Sequence, residues 1–236
     1  MKKDEPEAAS LNTKMFNNIA HNYDFVNQII SLGLDKRWRK RAMKSIVTAP
    51  GVKISDLCCG TGDWTMLLAK KSNGQGIVTG LDLSSEMLHL CRKKSNKNKI
   101  NNIKLIRADV ISLPFENEVF DYITIGFGLR NVKDKNLALK EIYRVLKPKG
   151  TFICLETSIP NNYFVNRLFS FYFTKVMPVI GGAISRNFSA YKWLSRSTFE
   201  FYAPIELRKK ISEHGFTSVN YEAYNGGLVS VYISSK

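Results

Sequence analysis

Chemistry is concentrated in the stretch DLCCGTGD at 56–63. Gly60 and Gly62 stand two apart, after an apolar run that reads as a buried strand and before a helical one. In that setting a glycine lets a ligand approach the backbone closely, because no Cβ intervenes. The third glycine of a dinucleotide fingerprint is missing, and Thr65 stands in its place. Asp82 lies 20 residues beyond Gly62, at the end of the next apolar run. A carboxylate there can bind both hydroxyls of a ribose. Asp109, in RADV, ends the run after that. Three successive strands therefore end in a glycine turn or an acid, at the edge where open α/β sheets take their ligands. Carboxylates repel a pyrophosphate but suit a nucleoside that lacks phosphate and carries a cation.

Such residues need a sheet to hold them. Apolar runs at 53–58, 76–83, 103–107, 122–125 and 151–155 predict five strands, separated by helical patterns at 64–71, 85–93 and 137–146. Ser84 is placed to cap the second helix, and Lys147-Pro148 to stop the third. Two closing strands, 216–223 and 228–234, flank Asn225-Gly226-Gly227, a hairpin signal, and a short helix over 204–214 precedes them. The alternation predicts an α/β fold with a mostly parallel seven-stranded sheet ending in an antiparallel hairpin. Ahead of it, apolar residues over 14–46 recur at three- and four-residue steps, a helical arm behind a polar tail at 1–12. Over 157–204, after the fifth strand, Phe and Tyr crowd around Gly181-Gly182 and YKWL, which predicts a helical insertion. The expected organisation is a tail and arm over 1–50 and a sheet domain over 51–236 that carries the insertion.

The 236 residues are 44% hydrophobic and 23% charged, the mixture of a globular chain rather than a disordered one. The apolar stretch 164–184 is interrupted by Arg167, Lys175 and Pro178, which argues against a membrane-spanning helix. MKKDEPEAAS at the N-terminus lacks a secretory apolar segment, so a cytoplasmic protein is expected. Four cysteines without CxxC spacing and three histidines without HxxxH spacing predict reduced, packed thiols and no metal site. Lys and Arg exceed Asp and Glu by 35 to 20, a net +15, which favours nucleic acid or an anionic membrane as partner. The run KRWRKR at 36–41 fits either a solvated helix face or a contact with phosphates or headgroups.

The DxxxGxG spacing followed by two acids resembles the class I S-adenosylmethionine-dependent methyltransferases, of Rossmann-like fold. Further motifs narrow the resemblance: DLCCGTGDWT, IGFGLRNV at 125–132, RVLKPKG at 144–150, CLETSIP at 154–160, YDFVNQIIS at 23–31 and FSAYKWL. Together they resemble the C-methyltransferases of menaquinone and ubiquinone biosynthesis (the UbiE/MenG family), and CCGTGDWT is closer to the menaquinone branch. The similarity runs from about Lys14 to the C-terminus. It departs at Asp35, where the family commonly has His, at Val26 for Met, and at Lys149 for Gly in a turn. Carried over, it implies that Thr61, Asp82, Asp109 and Val110 contact S-adenosylmethionine. Thr61 and the turn of Gly60 and Gly62 would face the methionine carboxylate, and Asp82 the ribose. Asp109 would meet the adenine amine and the Val110 N–H a ring nitrogen, while Asp56 orients the turn or a water near the ammonium.

The implied reaction methylates a ring carbon of a prenylated naphthoquinol, demethylmenaquinol, with no metal. Arg130 is the first candidate for stabilising the phenolate, with Asn131 orienting a water or the quinol oxygen. Tyr23 and His21 are further candidates in the arm. Phe164, Phe169, Phe171, Tyr172, Phe173, Met177 and Tyr191 would form a lid over the ring and a tunnel for the prenyl chain. A substrate held in the bilayer implies transient contact with the anionic inner face of the cell membrane, with 36–41 as the contact. Two alternatives stay open: a prenylated benzoquinol as acceptor, and an RNA-binding protein with a methyltransferase fold. Against nucleic acid, the aromatics cluster in one apolar insertion instead of interleaving with Lys and Arg.

Overall fold

The computed structural model describes residues 5–236. Strands β1 (Lys53–Leu57), β2 (Ile77–Asp82), β3 (Ile103–Arg107), β4 (Phe120–Gly126) and β5 (Leu146–Thr157) are parallel, and β7 (Val229–Ser235) runs antiparallel to both β5 and β6 (Thr217–Tyr224). Their order is β3-β2-β1-β4-β5-β7-β6. The chain moves outward from β1 to β3 and then returns to the other side of β1. That reversal leaves a crevice between the carboxyl ends of β1 and β4.

The strands are apolar on both faces because both are covered. On one side Leu57, Ile123, Ile125 and Phe152 pack with Leu139 and Ile142 of α5 (Lys135–Val145) and Leu207 and Ile211 of α9 (Pro204–Glu213). On the other, Ile54, Val78 and Ile153 meet Trp64 and Leu68 of α3 (Asp63–Ser72). The Ser84 hydroxyl accepts from the Met87 amide at 3.1 Å and caps α4 (Ser85–Lys97), as expected.

The arm departs from one continuous helical pattern. It forms α1 (Glu5–Ile30) and α2 (Leu34–Ala42), separated where Leu32 and Gly33 turn left-handed, at φ 52° and 71°. Most of the expected polar tail is already helical from Glu5, and residues 1–4 lie outside the described residues. The basic run also divides. Trp38 and Ala42 are buried, Arg39 pairs with Asp35, and Arg41 pairs with Glu222 and lies over Tyr224. Lys36, Arg37 and Lys40 remain exposed.

The insertion comprises α6 (Tyr163–Phe171), a π-helical turn (Tyr172–Val176), α7 (Met177–Ser185) and α8 (Phe188–Phe199). Pro178 does not break it. Proline lacks an amide proton and clashes with the carbonyl four residues earlier, and the wider turn before it absorbs both effects. The result is one helical run, Tyr163–Ser185, of 23 residues. By length and composition it could cross a membrane, contrary to the sequence expectation, although 28% of its apolar window is buried within the protein. A Cβ on Gly181 would lie 2.3 Å from the Tyr191 ring and one on Gly182 2.3 Å from Phe188, so this pair allows α7 to approach α8.

Helix α5 ends at Val145 and β5 begins at once, so Lys147-Pro148 belongs to the strand rather than to a helix stop. Lys149, where the resembled family has Gly, sits at φ +65°. A residue with a Cβ is strained there and glycine is not. Lys149→Gly is expected to raise stability by about 1 kcal/mol, once the greater freedom of the unfolded glycine is subtracted. Urea unfolding checks this, and an unchanged or lower midpoint would contradict it.

Candidate active site

The crevice at the carboxyl ends of β1–β4 opens into a cavity of about 630 Å³. The Asp82 carboxylate ties its floor together, accepting from the Gly60 amide at 2.8 Å and the Ser84 amide at 2.9 Å. Burial raises its pKa, and these amide hydrogen bonds act the other way. Asp109 accepts from the Ile111 amide at 3.2 Å, an Asx turn that presents it beside the buried Val110. Of the residues expected to hold the donor, Gly60, Asp82, Asp109 and Val110 line this cavity. Among the described residues, Gly62 lines neither this cavity nor the recess beside it. Its φ is +86°, and a Cβ there would come within 2.2 Å of Cys91 Sγ, so it sets the turn on which α3 begins.

A small recess continues from the cavity through Tyr23, Cys58, Gly60 and Gly126, and holds Asp56, Thr61 and Arg39. Asp56 is buried and accepts from Thr65 Oγ1 at 2.6 Å and Thr124 Oγ1 at 2.8 Å, tying α3 and β4 to the turn. Burial pushes its pKa up to about 6 despite these bonds. Thr61 departs from the expected picture of a hydroxyl free for a ligand. It donates to Asp24 of α1 and accepts from Lys94 Nζ at 3.0 Å. Lys94 also pairs with Asp24 and, at 2.7 Å, with Asp63. The charged partners are stronger than a neutral one and hold the hydroxyl. They also fasten α1 over the crevice, where Ser84 Oγ donates to Asn17 Oδ1 at 2.5 Å.

Beyond lies a second cavity of about 450 Å³, walled by Phe169, Tyr172, Phe173 and Met177 of the insertion and by α1, α2 and Phe127. Tyr23 and Phe127 line both cavities. Phe127 sits at φ +59°, strained backbone at the end of β4. Burial raises the Tyr23 pKa, so its hydroxyl keeps its proton. Among the described residues, Asp35 is the one carboxylate lining this second cavity; it is held by Arg39 at 2.5 Å and the Ser31 hydroxyl at 3.1 Å.

Several expectations change here. Arg130 lines the apolar cavity, but its charge is paired: Nη1 donates to buried Glu156 and, at 2.8 Å, to the Phe127 carbonyl. Its buried Nε has no partner. Asn131 lines the larger cavity and a third one of about 550 Å³ beside Lys133, and not the apolar one. His21 is exposed on α1 and is not among the residues lining these three cavities. Phe164 and Phe171 point outward, and Tyr191 is buried against Gly181 in the packing of α1 on α7 and α8. Asp24, Arg39, Lys94, Phe127 and Glu156 escape the sequence reading. Asp24 and Phe127 fall inside recognisable motifs without standing out, whereas Arg39 and Lys94 are hidden among other basic residues.

The larger cavity fits S-adenosylmethionine: its volume suits a nucleoside-sized ligand, two acids line it, and the glycine turn leaves the backbone open. Fold and site together are those of an S-adenosylmethionine-dependent methyltransferase. An Aquifex aeolicus enzyme of that class matches with a TM-score of 0.63 over 84% of this chain and 88% of its own, at 17% identity. One from Thermotoga maritima matches at 0.64 over 94% and 99%, with 20% identity. The chain belongs to the ubiE/COQ5 methyltransferase family, whose model matches residues 3–236. A demethylmenaquinone methyltransferase of Staphylococcus aureus (strain JH9) is 44% identical over 223 residues, covering 94% of this chain and 92% of the relative.

Asp56 provides a test of the recess. Its carboxyl binds a proton more tightly folded than unfolded, where the pKa is about 3.9. The stabilisation it contributes is therefore complete below about pH 4 and lost as pH rises through about 6. Asp56→Asn keeps the shape and removes the titration. Its stability relative to wild type is expected to rise by about 1.4 kcal/mol between pH 5 and pH 8. A pH-independent difference in urea unfolding would contradict this.

Proposed function

We propose that this protein transfers a methyl group from S-adenosylmethionine to a ring carbon of demethylmenaquinol, giving menaquinol, a step of menaquinone biosynthesis. The observation that carries the reading is the shared wall: a polar cavity with acids and a mostly apolar cavity meet at Tyr23 and Phe127. The 44% identity to a demethylmenaquinone methyltransferase supports the same acceptor.

Asp82 holds the ribose hydroxyls, Asp109 the adenine amine, and the Val110 amide a ring nitrogen. Arg39 and the turn at Gly60–Thr61 hold the methionine carboxylate in the recess, and Asp56 keeps that turn in place through Thr65 and Thr124. When bound, S-adenosylmethionine supplies a methyl on a cationic sulfur that becomes an uncharged thioether. Tyr23 and Phe127 flank the line along which the ring carbon must approach.

An aromatic carbon becomes a competent nucleophile when the neighbouring phenol loses its proton. Asp35 accepts that proton, with Arg39 and Ser31 aiming its carboxylate. The Arg130 guanidinium, held by Glu156 in the cavity wall, stabilises the developing phenolate. Methyl transfer then gives a neutral dienone, which tautomerises to the aromatic quinol as the proton of the methylated carbon moves to the ring oxygen and Asp35 returns its proton to solvent. The aromatic walls exclude water, which strengthens each of these interactions. The protein works in the cytoplasm and visits the anionic inner face of the membrane through Lys36, Arg37 and Lys40.

Labelled methyl transfer to a short-chain demethylmenaquinone is expected only when a reductant supplies the quinol. Absence of product under both redox conditions, with S-adenosylmethionine still bound, would overturn the acceptor. Asp35→Asn is expected to lower turnover by roughly 10²-fold or more without changing donor affinity. Asp35→His, which also offers a base at this position, should restore much of it. Full activity in Asp35→Asn would remove Asp35 as proton acceptor.

A further inference from the structure

The helical run Tyr163–Ser185 is apolar on two opposite faces. One face, with Phe169, Phe173 and Met177, lines the mostly apolar cavity. The other has no partner within the described residues: Phe164 is 78% exposed, Leu168 71%, Phe171 60% and Val179 59%. Positions 164, 168 and 171 fall at the four- and three-residue steps that align side chains on one helix face. Leu168 is both exposed and part of the cavity lining, so it stands at the cavity mouth. Leu32, 83% exposed, shares that position at the end of the arm helix. Exposed cations flank these residues: Lys36, Arg37 and Lys40 follow Leu32, and Arg167 and Lys175 lie on the run itself.

An apolar rim around an apolar cavity, edged with cations in a chain of net +15, is complementary to one kind of surface. We propose that the outer face of α6 and Leu32 insert into the acyl boundary of an anionic bilayer, with the flanking Lys and Arg at the headgroups. The helical run then lies in the interface rather than crossing it, because its inner face is needed as a cavity wall. The cavity mouth thereby opens into the hydrocarbon, and a prenylated quinol enters without passing through water. Delivery of a quinol in this way rests on the proposed function, but the docking itself can be tested without any methyl transfer.

The test is cosedimentation with vesicles of phosphatidylcholine alone or with added phosphatidylglycerol. Wild type is compared with Phe164→Ser/Phe171→Ser/Val179→Ser and with Lys36→Gln/Arg37→Gln/Lys40→Gln. None of these six side chains lines the donor cavity, its recess or the apolar cavity, so S-adenosylmethionine binding and transfer to a short-chain quinol should be unchanged. Wild type is expected to bind the anionic vesicles, and each variant to bind at least tenfold more weakly. Transfer to a long-chain quinol embedded in those vesicles should fall in parallel. Undiminished vesicle binding by the apolar variant would overturn the proposal. So would a wild-type dimer that the apolar variant dissociates while vesicle binding persists, since the face would then serve a second copy. Vesicle binding that follows the expected pattern, with no quinol methylated, would leave the docking standing and remove the acceptor.

Discussion

Two environments that exclude each other have to share a wall in this protein. A charged, hydroxyl-rich donor needs carboxylates and open backbone, whereas a prenylated ring needs a dry apolar chamber. They meet at Tyr23 and Phe127, and Tyr23 depends on how helix α1 sits across the sheet. Asp24 fastens α1 to Lys94 and Thr61, and Asn17 fastens it to Ser84 at the start of α4. On the opposite side, the strained Phe127 is held by its amide bond to the Leu155 carbonyl, at 2.7 Å, and by Arg39 over its ring. Strain of this kind costs about 1–3 kcal/mol and persists where surroundings over-determine it.

The charges around the dry chamber come in pairs. Arg130 with Glu156, and Arg39 with Asp35, each bring a cation and an anion into low-dielectric surroundings. A buried pair contributes little net stability, because desolvation offsets the attraction, but losing one member leaves a costly unpaired charge. Pairing therefore keeps the chamber near neutrality and still supplies a carboxylate and guanidinium hydrogens inside it. Proton removal from a phenol calls for that combination. The phenolate needs stabilising until its ring carbon takes the methyl, which leaves a neutral ring.

Much of the sheet was legible in the sequence because strands covered on both faces appear as short apolar runs, and because Gly60, Asp82 and Asp109 mark their ends. The helix break at Leu32-Gly33 was not legible, since the apolar periodicity continues on both sides of it. Nor were the pairs that assemble the site: Asp24 meets Lys94 and Arg130 meets Glu156 across long sequence separations, which leave no local pattern. Thr61 looked free to meet a ligand because its partner lies on the arm. Phe164 and Phe171 looked like cavity lining because composition reveals that a helix is apolar, but not that it is apolar on two faces.

The shared wall is tested most directly by a crystal structure with S-adenosylhomocysteine and a short-chain demethylnaphthoquinol bound together. The expected result places the sulfur beside Tyr23 and Phe127, with the ring in the chamber walled by Phe169, Phe173 and Met177. The methyl-accepting carbon should then stand where an intervening methyl would lie about 3–3.5 Å from it. A ring bound in the third cavity, beside Asn131 and Lys133, or a sulfur turned away from Tyr23, would contradict the arrangement.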